Sequence, residues 1–187
     1  MNVILLVWIS HLTYLLSCLY FGQYEEKSEE RSLSYYKSNI NFLFLHCISC
    51  CLPIQEIPTS DFITSRVFLA WIIIADLFFT CAHRLLHSKT LYWLHKQHHS
   101  NHPTFSTSTF DAHILEFFFV NVCTAVLPML LIPGSNMAQL LWVLFVNINT
   151  VSGHHVEGPH LVHHKLLKYN YGQGFYFWDK IAGTYKK

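Results

Sequence analysis

Charge is what this chain has least of. Only 12% of its 187 residues are Asp, Glu, Lys or Arg, against about 25% in an ordinary soluble domain, while 52% are hydrophobic. That balance argues against a globule with a charged, water-facing surface and leaves a membrane protein as the first reading. An excess of one sign is missing too. The net charge is +1 with histidine neutral, so no nucleic-acid partner is indicated. No basic stretch precedes the first apolar run, which therefore reads as a retained membrane helix rather than a cleaved signal. Cys18, Cys47, Cys50, Cys51, Cys81 and Cys123 all fall inside apolar segments, where they fit small hydrophobic packing better than a disulfide frame. Cys47 to Cys51 has the spacing of half a zinc knuckle, but no second half follows, so it is not taken as a metal site. The sequence also lacks internal repeats and low-complexity tracts.

Apolar runs are present at about 3 to 21, 40 to 54, 62 to 82, 114 to 132 and 136 to 152. A bilayer crossing takes about 20 residues, so the first, third and fourth are comfortable, the fifth is marginal and the second is short. Tilting, re-entry or the interfacial Tyr35 and Tyr36 would accommodate the second. Residues 22 to 38 read as a polar connector, and 55 to 61 and 133 to 136 as turns. If all five runs cross, the connector, residues 83 to 113 and the tail from 153 share one face. Eleven of the twelve Lys and Arg (Lys27, Arg31, Lys37, Arg84, Lys89, Lys96, Lys165, Lys168, Lys180, Lys186, Lys187) fall on that face, and Arg66 falls near the other. The positive-inside tendency makes it cytosolic. The expected fold is an all-α integral membrane protein of four to five transmembrane helices under a cytosolic, histidine-rich helical cap.

Histidine is in excess: 14 in all, 12 of them between His83 and His164. On a helix continuing from the third run, His83 and His87 stand at i and i+4 and project from one face. His95, His98 and His99 form an HxxHH pattern, and His160, His163 and His164 repeat it beyond the hairpin, with His154 and His155 upstream. Two helices of about 17 to 19 residues, hinged at Pro133-Gly134 and each roughly 27 Å long, carry the chain out and back. Both histidine groups therefore meet on one side of the membrane. Imidazole is the commonest metal-binding side chain, and eight or more converging rings are more than one ion can hold, so two metals are expected.

Zinc-protease chemistry is excluded because HExxH needs a glutamate as general base, and HRLLH has arginine and leucine inside. Ion conduction would place polar ligands deep in the spans, where of the histidines only His11 and His46 lie, so a site at the helix mouths favours catalysis. A histidine-rich metal carrier or sensor stands as the alternative. Asp76 and Asn147 each lie seven residues before a histidine (His83, His154), nearly on its face, and are expected to orient a ring through its far N–H, with a structural hydrogen bond as the other reading. His113 opens the fourth run as a ligand candidate, beside Glu116, which is expected to cap or orient. Of His154 and His155 one is expected to bind, since neighbours on a helix point about 100° apart. His102, before a proline, is expected in a loop.

HRLLH, HKQHH and HLVHH resemble the three histidine boxes of the fatty acid hydroxylase superfamily. "ADLFFTCAHRLLH", "AHILE" and the tail "HHKLLKYNYGQGFYFWDKIAGTY" are similar to that superfamily's stretches around the boxes, so the likeness covers about residues 62 to 185. The tail, with Asn170 to Gln173, Trp178-Asp179 and Gly183-Thr184, looks most like the C-5 sterol desaturase type. The interval from His154 to HLVHH is shorter than is common in the family, and Ile114 stands where a proline is usual. The resemblance implies N-terminal membrane helices and connector over 1 to 61 and a catalytic domain over 62 to 187. It implies two irons, with zinc fitting the same ligands, held by His83, His87, His95, His98, His99, His113, His154, His160, His163 and His164. Asp76, Glu116, Asn147, His155 and Asp179 would support them. It further implies dioxygen, electrons from cytochrome b5 or a reductase, and oxidation of an unactivated C–H bond of a sterol or fatty acyl chain to an alcohol or alkene at the endoplasmic reticulum. A catalytically inactive relative that binds lipid is a further reading.

Overall fold

The structure is a computed structural model that describes residues 1–51, 56–60, 64–101, 104–155 and 160–187; His102 lies outside the described residues. Among the described residues the chain is helical, with no β-strand beyond one isolated bridge between Asn2 and Glu56. α1 (Val3–Gly22) starts where Asn2 turns its side-chain oxygen back to accept the Leu5 N–H at 3.2 Å. Its 20 residues make about 30 Å of helix, the thickness of a hydrocarbon core. Among the described residues, three helical stretches are long and apolar enough to cross a membrane: Val3–Gly22, Ser65–Leu86 and Ile114–Leu131. Leu12, Leu16 and Leu19 are exposed on one side of α1, as a lipid-facing stripe requires.

The second apolar run is part of a longer helix than hydropathy indicates. α2 spans Glu29–Cys51, so the back half of the polar connector is helical. The reason lies in what its polar side chains bind. Ser34 Oγ donates to Asp111 Oδ2 (3.0 Å), Ser38 Oγ to the Thr107 carbonyl (2.8 Å), and Asn41 Nδ2 to the Phe110 and Ala112 carbonyls (2.8 and 2.9 Å). These bonds clamp a buried polar loop, residues 104 to 112, whose other side is held by Glu25. That carboxylate accepts from Ser106 N and Oγ (2.6 and 2.9 Å) and pairs with Arg31 at 3.3 Å. Buried polar groups need partners, and here a helix face supplies them.

α3 (Thr64–Leu86) leads through a short turn into α4 (Tyr92–His99). The next span begins with one turn, α5 (Ile114–Glu116), passes through a π-helical segment, Phe117–Val122, and ends as α6 (Cys123–Leu131). α7 (Asn136–His154) returns after a turn at Gly134, where a Cβ would stand 2.7 Å from the Trp71 ring; only glycine lets this hairpin pack so closely on α3. α1 packs mainly on α7 and on α2, and α3 on α6. Tyr14, Phe42, Phe110 and Phe117 fill one core; Trp71, Met129, Ala138 and Trp142 fill another. The tail adds α8 (Leu161–Leu166) and α9 (Phe177–Ala182), and α9 lies against α3. The ends of α3 and α7 and the short helices α4 and α8 thus converge, which sets the place of the site.

Candidate metal centre

Ten of the fourteen histidines are expected ligands, and nine of them gather in two adjoining groups. His83, His87, His95, His99 and His163 form one; His98, His154, His160 and His164 form the other, with all ligand atoms in each group within 4.8 Å of one another. Helical geometry explains the division. Each i, i+4 pair, His83/His87, His95/His99 and His160/His164, shares a group, whereas His98 and His163, each next to the last residue of its pair, point about 100° away into the other group. Every HxxHH therefore feeds both groups and ties them together.

The ring protons are fixed by groups that can only accept. Nδ1–H of His83 donates to the Tyr171 carbonyl (2.7 Å), that of His163 to the Tyr169 carbonyl (2.8 Å) and that of His154 to the Thr150 carbonyl (2.9 Å). His95 Nδ1–H donates to the Glu116 carboxylate at 2.7 Å. In a neutral imidazole so fixed, Nε2 carries a bare lone pair. Yet His83 Nε2 and His95 Nε2 face each other at 2.9 Å, and His163 Nε2 stands 3.0 Å from His87 Nε2 and 3.2 Å from His99 Nε2. In the second group His98 Nε2 stands 3.1 Å from Nε2 of both His154 and His164. The opposed lone pairs of His83 and His95 repel at 2.9 Å unless a cation lies between them, and the rings of His98, His99 and His164, whose Nδ1 atoms have no partner among the described residues, are free to turn an Nε2 lone pair inward as well. Nitrogens about 2.1 Å from one ion are about 3.0 Å apart along octahedral edges and about 3.4 Å along tetrahedral ones. The residues fit a metal ion in each group.

Burial keeps the ligands neutral. Loss of water lowers the pKa of His87 to about 4 and of His99 to about 3. Burial, then repulsion from neighbouring imidazoles, holds His98, His160, His163 and His164 well below the ordinary value. At neutral pH every one of these rings offers a lone pair and needs no proton removed to bind metal.

Other expected site residues stand elsewhere. His113 is in neither group: its Nδ1 accepts the Leu115 N–H and its ring rests on Trp93, so it caps α5. His155 also stays outside, against Phe21 and Tyr24. Glu116 orients His95 directly. Asp76 touches no histidine; it accepts backbone N–H groups of Gln173 (3.2 Å), Phe177 (2.9 Å) and Trp178 (3.3 Å), and so docks the tail on α3. Asn147 likewise does not reach His154, bonding instead to Ser10 and the Val143 carbonyl. Asp179, fully buried, accepts Tyr171 N–H (3.0 Å), Gly172 N–H (2.6 Å) and the Thr184 hydroxyl (2.7 Å). The tail is thereby folded so that Tyr171 presents its carbonyl to His83. Those backbone carbonyls are the functional groups that sequence reasoning missed, since a carbonyl carries no side-chain signature.

Beneath the histidines lies an apolar cavity of about 420 Å³ between α1, α2, the π-helical segment, α6 and α7. Thr150 and Gln173 line it and also line a small pocket of about 90 Å³ whose wall includes His154 and His160. Thr150 and Gln173 thus form a shared wall between the cavity and the pocket beside the four-histidine group.

Comparison with known proteins agrees with this geometry. The lathosterol oxidase of Homo sapiens is 30% identical over 148 residues, covering 70% of this chain and 48% of that protein. A Delta(7)-sterol 5(6)-desaturase of Leptosphaeria maculans is 32% identical over 141 residues (68% and 38%), and one of Saccharomyces cerevisiae is 30% identical over 132 (64% and 36%). The chain spans half or less of the length of these relatives. No solved structure matches it. The model of the family described as fatty acid hydroxylase matches residues 68–184, a stretch that contains all nine clustered histidines, and the chain belongs to that family.

Proposed function

We propose that this chain is a membrane oxidoreductase that holds two iron ions in its two histidine groups and uses dioxygen to oxidise an unactivated C–H bond of a lipid. The observation that carries the reading is the pair of facing, unprotonated Nε2 atoms of His83 and His95 at 2.9 Å, in one of two ring clusters set over an apolar cavity. Iron, when bound by imidazole, supplies the dioxygen and electron-transfer chemistry that no side chain offers. The chain's own residues do the rest. Glu116 and the carbonyls of Tyr169, Tyr171 and Thr150 hold four ligand rings in one tautomer and orientation. Burial of seven of the nine rings excludes most water, and the cavity holds one carbon of an apolar ligand near the four-histidine group, so the chain's contribution is positioning.

The five-histidine group has the two half-buried members, His87 and His99, and therefore lies nearer the cap surface, where electrons from cytochrome b5 or a reductase would arrive. Eleven of twelve Lys and Arg on that side support a cytosolic cap, and the family supports the endoplasmic reticulum. The names of the relatives support a sterol as the lipid and desaturation as the reaction. The test is lipid mass spectrometry of cells with and without the protein, joined to metal analysis of the purified chain. A sterol lighter by two hydrogens and about two irons per chain are expected. His98→Ala and His164→Ala should abolish turnover with membrane insertion intact; full turnover in either, or no stoichiometric metal, contradicts the proposal.

A further inference from the structure

Two of the side-chain amides that line the cavity have nothing to bind among the described residues. Most of its polar side chains are occupied: Thr150 Oγ1 donates to the Val146 carbonyl (2.6 Å), Asn147 Nδ2 donates to the Val143 carbonyl (2.8 Å) and to Ser10 Oγ (3.0 Å). Gln173, at the histidine end, is anchored through its backbone N–H to Asp76, while its side-chain amide, like that of Asn121, makes no hydrogen bond among the described residues. Asn121 lines the cavity inside the fourth apolar run, and among the described residues its side chain makes no hydrogen bond, although its carbonyl accepts from Thr124. An unmet amide at bilayer depth costs free energy, so a ligand that satisfies it gains accordingly.

A second feature concerns direction. Asn121 follows Glu116 by five residues, and the segment between them is π-helical, with the Cys123 N–H bonded to the Phe118 carbonyl. In an α-helix, residues five apart point about 140° from one another, and a π-turn narrows that angle. The irregular turn therefore brings Asn121 closer to the side from which Glu116 reaches His95, about one helical turn deeper, on the order of 5 Å. π-Bulges are found mostly at functional sites, which agrees with this placement.

We propose that Asn121 is the specificity-determining residue of the cavity: it binds one uncharged hydroxyl or carbonyl of an otherwise apolar lipid and so fixes which carbon meets the histidines. Because the described wall holds no Lys, Arg, Asp or Glu, a carboxylate or phosphate finds no counter-charge there. The polar group and the reacting carbon are then a few bonds apart, and the apolar remainder extends toward Met129 and Trp142. The inference rests on the lipid-oxidising reading above.

The experiment is binding by the purified chain in lipid nanodiscs, which needs no turnover. The probes are a 3-hydroxysterol with its 3-deoxy counterpart, and a long-chain alcohol with the matching alkane. The wild type should prefer the hydroxylated member of at least one pair, roughly three- to tenfold, as one net hydrogen bond gives. Asn121→Leu, close in volume, should lose that preference and bind the deoxy member as before; Asn121→Ala serves if the leucine variant does not keep its metal. A preference that survives in the variant, or no preference in the wild type for either pair, overturns the proposal. If only the alcohol pair responds, Asn121 stands and the sterol reading fails. If sterol is turned over with the same product position in both proteins, the function stands and Asn121 fails.

Discussion

Removing the Asp179 carboxylate should empty one metal site and spare the other. Asp179→Ala leaves the Tyr171 and Gly172 N–H groups buried without an acceptor, at about 1–3 kcal/mol each, hence about 2–6 kcal/mol against the folded tail. The tail's tyrosines serve only the five-histidine group, through Tyr171 to His83 and Tyr169 to His163. In the four-histidine group, His154 is oriented from within its own helix by Thr150. Loss of a partner that orients a ligand typically costs about 10–100-fold in metal affinity, or about 1.4–2.8 kcal/mol, so opening the tail is enough to reach that range. The assay is metal per chain by mass spectrometry after equilibration with a graded chelator. The variant should fall from two ions to one at a chelator level the wild type withstands. Retention of both ions, or their loss together, refutes the reasoning.

Glu116→Leu should weaken the same five-histidine group by about 10–100-fold through the His95 ring, and Glu116→Gln, which still accepts from Nδ1, should weaken it less; equal retention in a chelator titration contradicts this. Gly172→Ala would bring a Cβ to 2.7 Å from Asp76 Oδ1 and 2.9 Å from Asp179 Oδ2, so limited proteolysis should cut the tail far sooner than in the wild type. His113→Ala should keep both ions and lose only a helix cap, about 1 kcal/mol in thermal unfolding; loss of an ion would return His113 to the ligand set. The pKa values of His87 and His99 lie below the ordinary 6.5, so on acidification the unfolded chain takes up protons first. Stability of the metal-free protein is complete above about pH 6.5 and falls as pH drops toward 4 and then 3, and a melting temperature flat across that window argues against buried neutral rings.

The histidine spacing made the two groups legible because a helix converts sequence separation into direction, and nine of the ten expected ligands fall within them. The same rule misplaced Asp76 and Asn147. Seven residues restore the face of a helix but move about 10 Å along it, far beyond one hydrogen bond, so neither side chain reaches its histidine. Asp76 meets the tail instead, a contact that joins residues about a hundred positions apart and leaves no local pattern. The polar half of α2 was hidden for a related reason. Its serines and Asn41 are satisfied by loop carbonyls, whereas hydropathy registers only that they are polar. His113 carried the right residue type next to the right glutamate, but its backbone turn directs the ring to Trp93.

The carbonyl of Tyr171 that steadies His83 belongs to a residue 88 positions later in the chain. At roughly 5–20 residues per second, translation delivers it roughly 4–18 s after the ring it holds. During that interval the first half of the ligands stands at the membrane surface with its lone pairs open to any thiophilic or divalent ion in the vicinity. On the proposed two-iron reading, correct loading waits until translation has passed the tail, which makes metal selection a late event in this protein's biogenesis.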